Sequence, residues 1–525
     1  MKKKMSKFAF KIDSMKKRVI YTIDWVKRHP YKTAGEEDRY FADLAESVFN
    51  VIYKSEISDT FDDDKEAIAD VAIRLTMWFE DLVSETGIWR AATTEFKKRY
   101  GSYIPFYELD NDYEQGFVNL EDVRFLIWNE AQSYVGNDRF LNPENPAIEW
   151  VSGDVFTLFD EAWETAPANE RFYLSLHNET VLESYWNARA LIEWFSKFAY
   201  VNPSAVFDVM DALDKSTKDD DDEEQMGMRL YSIAVQDAFC SKHNMLSITA
   251  PQWLGRIRDQ KEREIWEDFR WRHISIMRFE DENDMQILFR DLVYDENLAV
   301  EKESFNETFL RRDLKQGDLL YCSLVSFRDA WYQCGQLAHL QPDGKLQKLI
   351  EDQRRKLHNI DYQATMYPLF KEVSGGKDVL FFGSLDEIKD AYRRMGFQGV
   401  DEHIAVAFDH NCLMMCSPVN GITLVRDMAA CIYTDDNPFY DQEFAAKNAH
   451  EFYFNPQVLD YRETCFLHDN NMLPDARISS LKGEEYGRWF LRKHGSYIID
   501  YYYLCTREYD YDAKFDLIRF NSVEP

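Results

Sequence analysis

The stretch DDDKEAIADVAIRLTMWFEDLVSETG, residues 62–87, decides how the first part of this chain folds. Asp62–Asp64 supply the cap and first-turn acids of a helix, and Gly87 predicts its end. The apolar residues between them recur at the spacing of one helix face. This face comprises Ile68, Val71, Ala72, Leu75, Trp78, Phe79 and Leu82. Such a long apolar stripe predicts a helix that lies in the core of a helical domain.

The sequence on both sides of this stretch has the same helical period. Thr33 and Glu36 predict a capping box for the preceding helix. Further helices are predicted at residues 119–136, 147–165 and 179–199. We therefore predict an all-helical domain over residues 19–217. Residues 1–18 precede it as a basic tail with eight Lys or Arg and one Asp, a composition that we interpret as a frayed terminus.

The second half of the chain begins after a charged run, KDDDDEE, at residues 218–224. This run predicts a solvated acidic loop, because six like charges in a row cannot be buried or paired locally. Connecting helices are predicted over 225–271. Apolar residues then alternate, which predicts a small antiparallel β-sheet or barrel over 272–340, followed by an α+β domain over 341–525. The predicted fold class is α+β multidomain, an N-terminal all-helical domain followed by a mainly antiparallel α+β region.

The composition of the chain disfavours some classes of function and favours others. The chain has 525 residues with 94 acidic and 62 basic side chains, a net charge of −32, and 15% aromatic residues. The negative charge disfavours nucleic-acid binding and favours a protein partner with a basic surface. Eight irregularly spaced cysteines, no signal peptide and no apolar run long enough to span a membrane favour a cytoplasmic protein with no membrane association. No cofactor is predicted.

The tyrosines near the C-terminus are the first candidate binding residues. Residues 497–503 are very aromatic and are predicted to form a strand. Tyrosine is enriched at protein interfaces because it combines a large contact area with a polar tip. We therefore predict binding through Tyr497, Tyr501, Tyr503 and Tyr509. A core strand with a wet outer face is the alternative interpretation of the same pattern.

A second candidate is a divalent metal site in the C-terminal half. Its predicted ligands are His403, Asp409, His410 and Asp436. Imidazole and carboxylate are suitable ligands for zinc or a harder metal, but the paired cysteine spacing of a structural zinc site is missing. Cys412 and Cys416 lie near these residues, and on a strand they would share one face, which core packing also explains. The metal site is therefore the alternative to a protein interface.

A third candidate is a loop that resembles a calcium site. It begins at Asp110 and has Glu121 at its twelfth position. A calcium loop needs glycine at its sixth position for the sharp turn, whereas Gly116 occupies the seventh. The sequence therefore favours a simple acidic turn here.

Five stretches of the chain resemble an uncharacterised bacterial, Bacteroidota-type protein family of unknown function. They are residues 29–32 (HPYK), 79–91 (FEDLVSETGIWRA), 104–108 (IPFYE), 118–128 (VNLEDVRFLIW) and 437–441 (NPFYD). They are distributed over most of the chain. The resemblance implies a bacterial cytoplasmic protein, but no activity, substrate or catalytic residue.

Two hypotheses of function follow from the sequence. The first is a non-catalytic cytoplasmic protein that binds a macromolecule through acidic, aromatic-rich surfaces, as a regulator or defence-type component. The second is a metal-assisted hydrolase that uses the Asp/His/Cys cluster of the C-terminal half. An enzyme requires these groups to converge in one pocket, whereas a binding protein requires an exposed apolar patch.

Overall fold

The computed structural model of the chain describes residues 18–136, 140–203, 205–216, 223–258, 260–310, 314–342, 344–397, 411–418, 421–452, 458–472 and 484–505. The basic tail, except for Arg18, lies outside these residues. Twelve α-helices precede the first strand within this part of the chain. They are α1 Thr22–Val26, α2 Glu36–Ile52, α3 Lys65–Ser84, α4 Ile88–Tyr100, α5 Leu120–Val135, α6 Pro146–Trp163, α7 Glu170–His177, α8 Tyr185–Phe198, α9 Ala205–Ser216, α10 Glu223–Cys240, α11 Ala250–Ile257 and α12 Gln260–Glu267.

Helix α3 confirms the prediction made from residues 62–87. The side chain of Asp64 accepts a hydrogen bond from the backbone NH of Glu66, and every member of the predicted apolar stripe is buried. The helix ends at Ser84, and Glu85 and Gly87 both adopt positive φ in the short turn to α4. The predicted capping box at Thr33 is wrong. Asp38 instead accepts from the backbone NH of Gly35, and the helix begins at Glu36.

The next region is a closed five-stranded barrel. Its elements are β1 Trp271–Glu282, β2 Gln286–Asp291, β3 Glu296–Glu301, α13 Glu307–Leu310, β4 Leu319–Phe327 and β5 Ala330–Leu340. The strand order is β1-β2-β3-β5-β4, with β4 pairing back to β1 and a parallel contact between β3 and β5 at Val300 and Trp331. This is the order of an OB-type Greek-key barrel. Alternating residues such as Ile287, Phe289 and Leu320 fill its interior.

A three-stranded sheet with helices on both faces follows the barrel. Its region comprises α14 Gly344–Val373, β6 Val379–Phe382, α15 Leu385–Arg394, β7 Cys412–Ser417, β8 Gly421–Arg426, α16 Gln442–Phe452, α17 Tyr461–Asp469 and α18 Glu484–Cys505. The sheet is antiparallel in the order β6-β7-β8. One face of β7 packs with residues of α14 and α15, and the other packs with residues of α17, so β7 is buried on both faces.

Helix α18 corrects a prediction. Residues 497–503 belong to α18 and do not form the expected strand. Aromatic residues favour strands only weakly, and here the buried residues recur at helical spacing, at Phe490, Tyr497 and Tyr501. The helix packs into the hydrophobic core of the N-terminal helices.

The α+β architecture is therefore confirmed, with helices first and antiparallel strands after them. In the described part of the chain, no helix is both long enough and apolar enough to cross a lipid bilayer.

Candidate functional site

A pocket of about 890 Å³ opens on the helical region. Its wall comprises the end of α3, the first half of α4, the loop before α5, the end of α6, and parts of α7, α11 and α12. Seven lining residues come from the stretch 79–91 that resembles an uncharacterised family. A volume of this size lies within the range of small-molecule sites in proteins. We call this cavity the α4 pocket.

The carboxylate of Asp81 is a buried group of the α4 pocket that holds the neighbouring backbone in place. It is buried and accepts four hydrogen bonds, from the hydroxyls of Thr86 and Tyr200 and from the backbone NH groups of Ile88 and Trp89. Burial raises the pKa of Asp81, and these donors act in the opposite direction. Because two of the donors belong to the first turn of α4, Asp81 fixes the start of that helix. Its oxygens are occupied, so its role is structural.

Charged groups cluster on one wall around Glu95. Its carboxylate lies 3.4 Å from Nε of Arg256, 3.6 Å from Nε of Arg99 and 3.9 Å from Nη2 of Arg263. Glu267 adds a second carboxylate, 2.8 Å from Nε of Arg263 and 3.2 Å from Nη1 of Arg256. Burial lowers the pKa of Arg256, and the neighbouring Glu95 raises it. These arginines are therefore engaged with the two carboxylates.

Arg90 differs from these arginines. It lines the pocket from α4, its side chain is exposed, and its guanidinium makes no ion pair with any residue that the structure describes. Its backbone carbonyl accepts a hydrogen bond from Nε2 of Gln115, which also donates to the hydroxyls of Thr93 and Thr94. Gln115 thus attaches the loop before α5 to α4.

Two aromatic side chains line the pocket while remaining open to solvent. Phe117 is 45% exposed and contacts Trp163, with ring centroids 5.7 Å apart. Tyr173 is 39% exposed and stacks on His177, with centroids 4.4 Å apart and an interplanar angle of 25°. His177 is itself held in place because its Nε2 donates to the carbonyl of Thr86 at 2.9 Å. Both exposed rings are therefore supported from behind.

A buried polar network lies next to this site and joins two of the stretches that resemble the family. His29 donates from Nδ1 to the carbonyl of Trp25 at 2.9 Å and from Nε2 to the carboxylate of Glu80 at 2.7 Å. A protonated ring can donate from both nitrogens, and the carboxylate of Glu80 stabilises its positive charge. Burial opposes this charge, but Glu80 raises the pKa of His29 overall. Asn169 completes the network by donating to Glu80 at 2.8 Å and to the hydroxyl of Tyr31 at 2.7 Å.

The tyrosines predicted to bind a partner lie in the core. Tyr497, Tyr501 and Tyr503 are 2%, 7% and 0% exposed, and they face other rings and hydroxyls of the chain. They therefore do not form an exposed surface, because the helix that carries them packs on α4 and α17. Tyr509 lies outside the described residues.

The predicted metal ligands are only partly described. His403, Asp409 and His410 lie outside the described residues. Asp436 is exposed and pairs with Lys377, Oδ2 to Nζ, at 2.8 Å. Cys412 and Cys416 are buried in the face of β7 that packs on α14 and α15. Across the described ranges, no three His, Cys, Asp or Glu side chains are grouped so that they could hold a metal ion.

The calcium-like loop is an acidic turn in the structure. Glu121 and Asp122 both lie in the first turn of α5 and are buried. Asp122 accepts hydrogen bonds from Asn119 at 3.0 Å and from the Tyr113 hydroxyl at 3.2 Å. Burial raises the pKa of Asp122 to about 7. These carboxylates therefore stabilise the entry into α5.

An exposed apolar surface was not predicted from the sequence. Helices α8, α9 and α10 pack on one another and expose several large apolar side chains. These are Trp186 at 43%, Val206 at 37%, Met210 at 51%, Met226 at 38%, Met228 at 49%, Leu230 at 37% and Tyr231 at 48%. Arg189 joins two of the helices, because its Nη2 donates to the hydroxyl of Tyr231 at 2.8 Å and its guanidinium lies 5.5 Å from the ring centroid of Trp186. We call these residues the α8–α10 surface.

Neither the α4 pocket nor the α8–α10 surface has a sequence motif. Arg90, Gln115 and Phe117 are brought together with Tyr173 only by the packing of separate helices. The stretch 79–91 is the one sequence feature that points to the pocket. It contributes to the pocket wall and is one of the five stretches that resemble the uncharacterised family. The methionines of α9 and α10 resemble core residues in the sequence, and only the structure shows their exposure.

Comparison with known proteins identifies a family to which the chain is similar. A sequence model described as "Protein of unknown function (DUF3843)" matches residues 19–331 and 332–504. No curated protein and no solved structure matches the chain. The matched residues cover the helical region, the barrel and the three-stranded sheet through to α18. The chain therefore belongs to this family of proteins of unknown function.

Proposed function

We propose that this protein binds another protein through the α8–α10 surface, and that the partner presents a basic amphipathic helix. The observation that carries the proposal is the exposure of seven large apolar side chains on three helices that pack together. Scattered apolar residues on a surface are ordinary, whereas a group on adjacent helices is typical of an interaction site.

The side chains of the α8–α10 surface suit a helical partner. Three of the seven are methionines, whose flexible thioethers adapt to differently shaped apolar faces. Val206 and Met210 are four residues apart on α9, and Met226 and Leu230 are four apart on α10, so each pair forms a row along its helix. An amphipathic helix lays its apolar face against rows of this kind.

The negative charge of the chain and of the residues around α9 and α10 supports a basic partner. Asp214 near the end of α9 and Glu223 at the start of α10 are exposed, and the peptide that joins these helices contains Asp219–Asp222 in sequence. The whole chain carries a net charge of −32. A field of this sign accelerates association with a cationic partner and repels an acidic one.

The sequence predicted an acidic, aromatic-rich binding surface, and the proposal retains the acidic part. Tyr497, Tyr501 and Tyr503 are internal, so the apolar contact is assigned to methionine, Trp186 and Tyr231 instead. No contact among the described residues favours the metal-assisted hydrolase. We propose that the protein acts in the cytoplasm, as its composition and irregular cysteines suggest.

A peptide titration tests the proposal. The probe is an 18-residue Lys/Leu helix with one apolar face and a fluorescent label, and its Glu/Leu counterpart is the charge control. We expect saturable binding of the basic peptide in fluorescence anisotropy and none of the acidic one. The double variant Met210→Gln, Met226→Gln, with one change in each row, is expected to weaken binding about tenfold, which is about 1.4 kcal/mol. Met285→Gln is the matched control, because Met285 is 69% exposed in the barrel.

Three outcomes would contradict the proposal. Equal binding by the double variant would show only general attraction to an acidic protein. Binding of the acidic peptide would remove the role of charge. Self-association of the wild-type chain that the double variant abolishes would show that a second copy, and not a basic partner, covers the surface.

A further inference from the structure

We infer that the α4 pocket binds a small molecule that joins an anionic group to a planar ring, with the anion on Arg90 and the ring against Phe117 and Tyr173. This site is separate from the α8–α10 surface and does not rest on the proposed protein partner. The inference combines an available cation, exposed rings and a cavity of suitable size in one place.

Arg90 is the available cation of the pocket. The other two guanidinium groups that line it, Arg256 and Arg263, are shared between Glu95 and Glu267 at 2.8 to 3.9 Å. Arg90 makes no such contact within the described part of the chain. A planar guanidinium with free N–H groups binds carboxylate or phosphate oxygens in pairs. An anion in the pocket therefore binds to Arg90 without breaking an existing ion pair.

Phe117 and Tyr173 provide the apolar part of the site. Each is more than one third exposed although it lines a cavity, so each leaves apolar area in contact with water. A flat ligand group that covers these rings removes that area from water and adds a stacking contact. The rings are preorganised, since Gln115 holds the loop of Phe117 and His177 supports Tyr173. Little ordering is therefore required on binding.

One acidic side chain opposes an anion in this pocket. Asp81 is occupied by four donors and Glu95 is paired with arginines, which leaves Glu85 as the exposed carboxylate of the lining. A carboxylate at the pocket repels an anionic ligand. Removing its charge is therefore expected to tighten binding, which gives a variant with an effect of opposite sign to that of Arg90.

Calorimetric titration of the full chain tests the inference with four probes. Adenosine 5′-monophosphate and indole-3-carboxylate each carry a ring and an anion, whereas adenosine lacks the charge and inorganic phosphate lacks the ring. We expect saturable binding of at least one of the first two and none of the last two in the same concentration range. Binding of the nucleotide alone assigns the ligand to the class that joins a phosphate to a purine, and binding of the indole alone assigns it to the class that joins a carboxylate to an indole-like ring.

Substitutions of the lining residues test whether the probe binds in the α4 pocket. Arg90→Gln is expected to weaken it at least tenfold, and Phe117→Ala about fivefold, whereas Glu85→Gln is expected to strengthen it about threefold. Arg39→Gln is the matched control, because Arg39 is exposed on α2 and does not line the pocket. The inference is overturned if no probe saturates at millimolar concentration, if adenosine or phosphate binds as tightly as the joined ligands, or if Arg90→Gln binds like wild type.

Discussion

Replacing Asp122 with asparagine should change how the stability of this protein depends on pH. Asp122 is fully buried at the start of α5, where Asn119 and Tyr113 donate to its two oxygens. Burial raises its pKa from 3.8 to about 7. The folded protein thus retains the proton of Asp122 in a range where the unfolded chain has lost it. Its contribution to stability is therefore complete below about pH 4 and is lost as pH rises through 7.

The magnitude follows from the two pKa values. Between pH 5 and pH 8 the unfolded carboxyl is almost fully ionised, whereas the folded one ionises only near the top of this range. Integration of this difference gives a loss of about 2–3 kcal/mol of unfolding free energy from Asp122 alone. Asparagine has nearly the shape of the protonated acid and does not titrate. The variant should therefore lack this loss, while other buried carboxyls such as Glu130 affect both proteins equally.

Urea denaturation at pH 5 and pH 8 measures the effect. We expect the unfolding free energy of wild type to fall by about 2–3 kcal/mol more than that of Asp122→Asn between these two conditions. Asp112→Asn is the control, since Asp112 is exposed on the preceding loop and its substitution should leave the wild-type difference unchanged. Parallel stability curves for wild type and Asp122→Asn would refute the argument.

Three further predictions concern the interior. Tyr501→Ala should lower the unfolding free energy by about 3–5 kcal/mol, because the ring packs 5.5 Å from Trp128; an unchanged urea midpoint would contradict its place in the core. His29→Ala should cost about 3–5 kcal/mol in the same assay, since it leaves Glu80 buried without its cation, and a cost below about 1 kcal/mol would show that the pair is unimportant. Cys412 and Cys416 should resist iodoacetamide until denaturant is added, as burial raises the pKa of each thiol to about 12; labelling of the native protein, read by mass spectrometry, would show that β7 opens.

Most helices of the N-terminal region could be predicted from the local spacing of apolar residues and from helix caps. The stripe of α3 and the cap at Asp64 depend on residues within one helix, so the sequence contains the information. The same holds for the alternation that predicts the barrel, although the closing pair of β4 with β1 comes from tertiary structure. Residues 497–503 were misassigned because aromatic composition resembles a strand, whereas the spacing of the buried rings over the longer segment is helical.

The α4 pocket and the α8–α10 surface could not be predicted from local sequence patterns. Whether Arg90 is paired depends on carboxylates from other helices, and the exposure of Met210 depends on which helices pack beside α9. Asp122 illustrates the same limit. In the sequence it adjoins a calcium-like pattern, but the structure buries its carboxylate under Tyr113. Local spacing therefore predicts elements well and predicts the availability of side chains poorly.

The position of α18 has a consequence for synthesis of the chain. Tyr100 donates to Asp500 across 400 residues of sequence, and Phe106 packs against Phe490 and Tyr497. A ribosome adds about 5–20 residues per second, so roughly 20–80 s separate the emergence of the two sides of this contact. During that interval the rings of the N-terminal helices lack their final cover. The growing chain thus presents an apolar groove until α18 emerges, and this is the period in which holding by a chaperone would matter most.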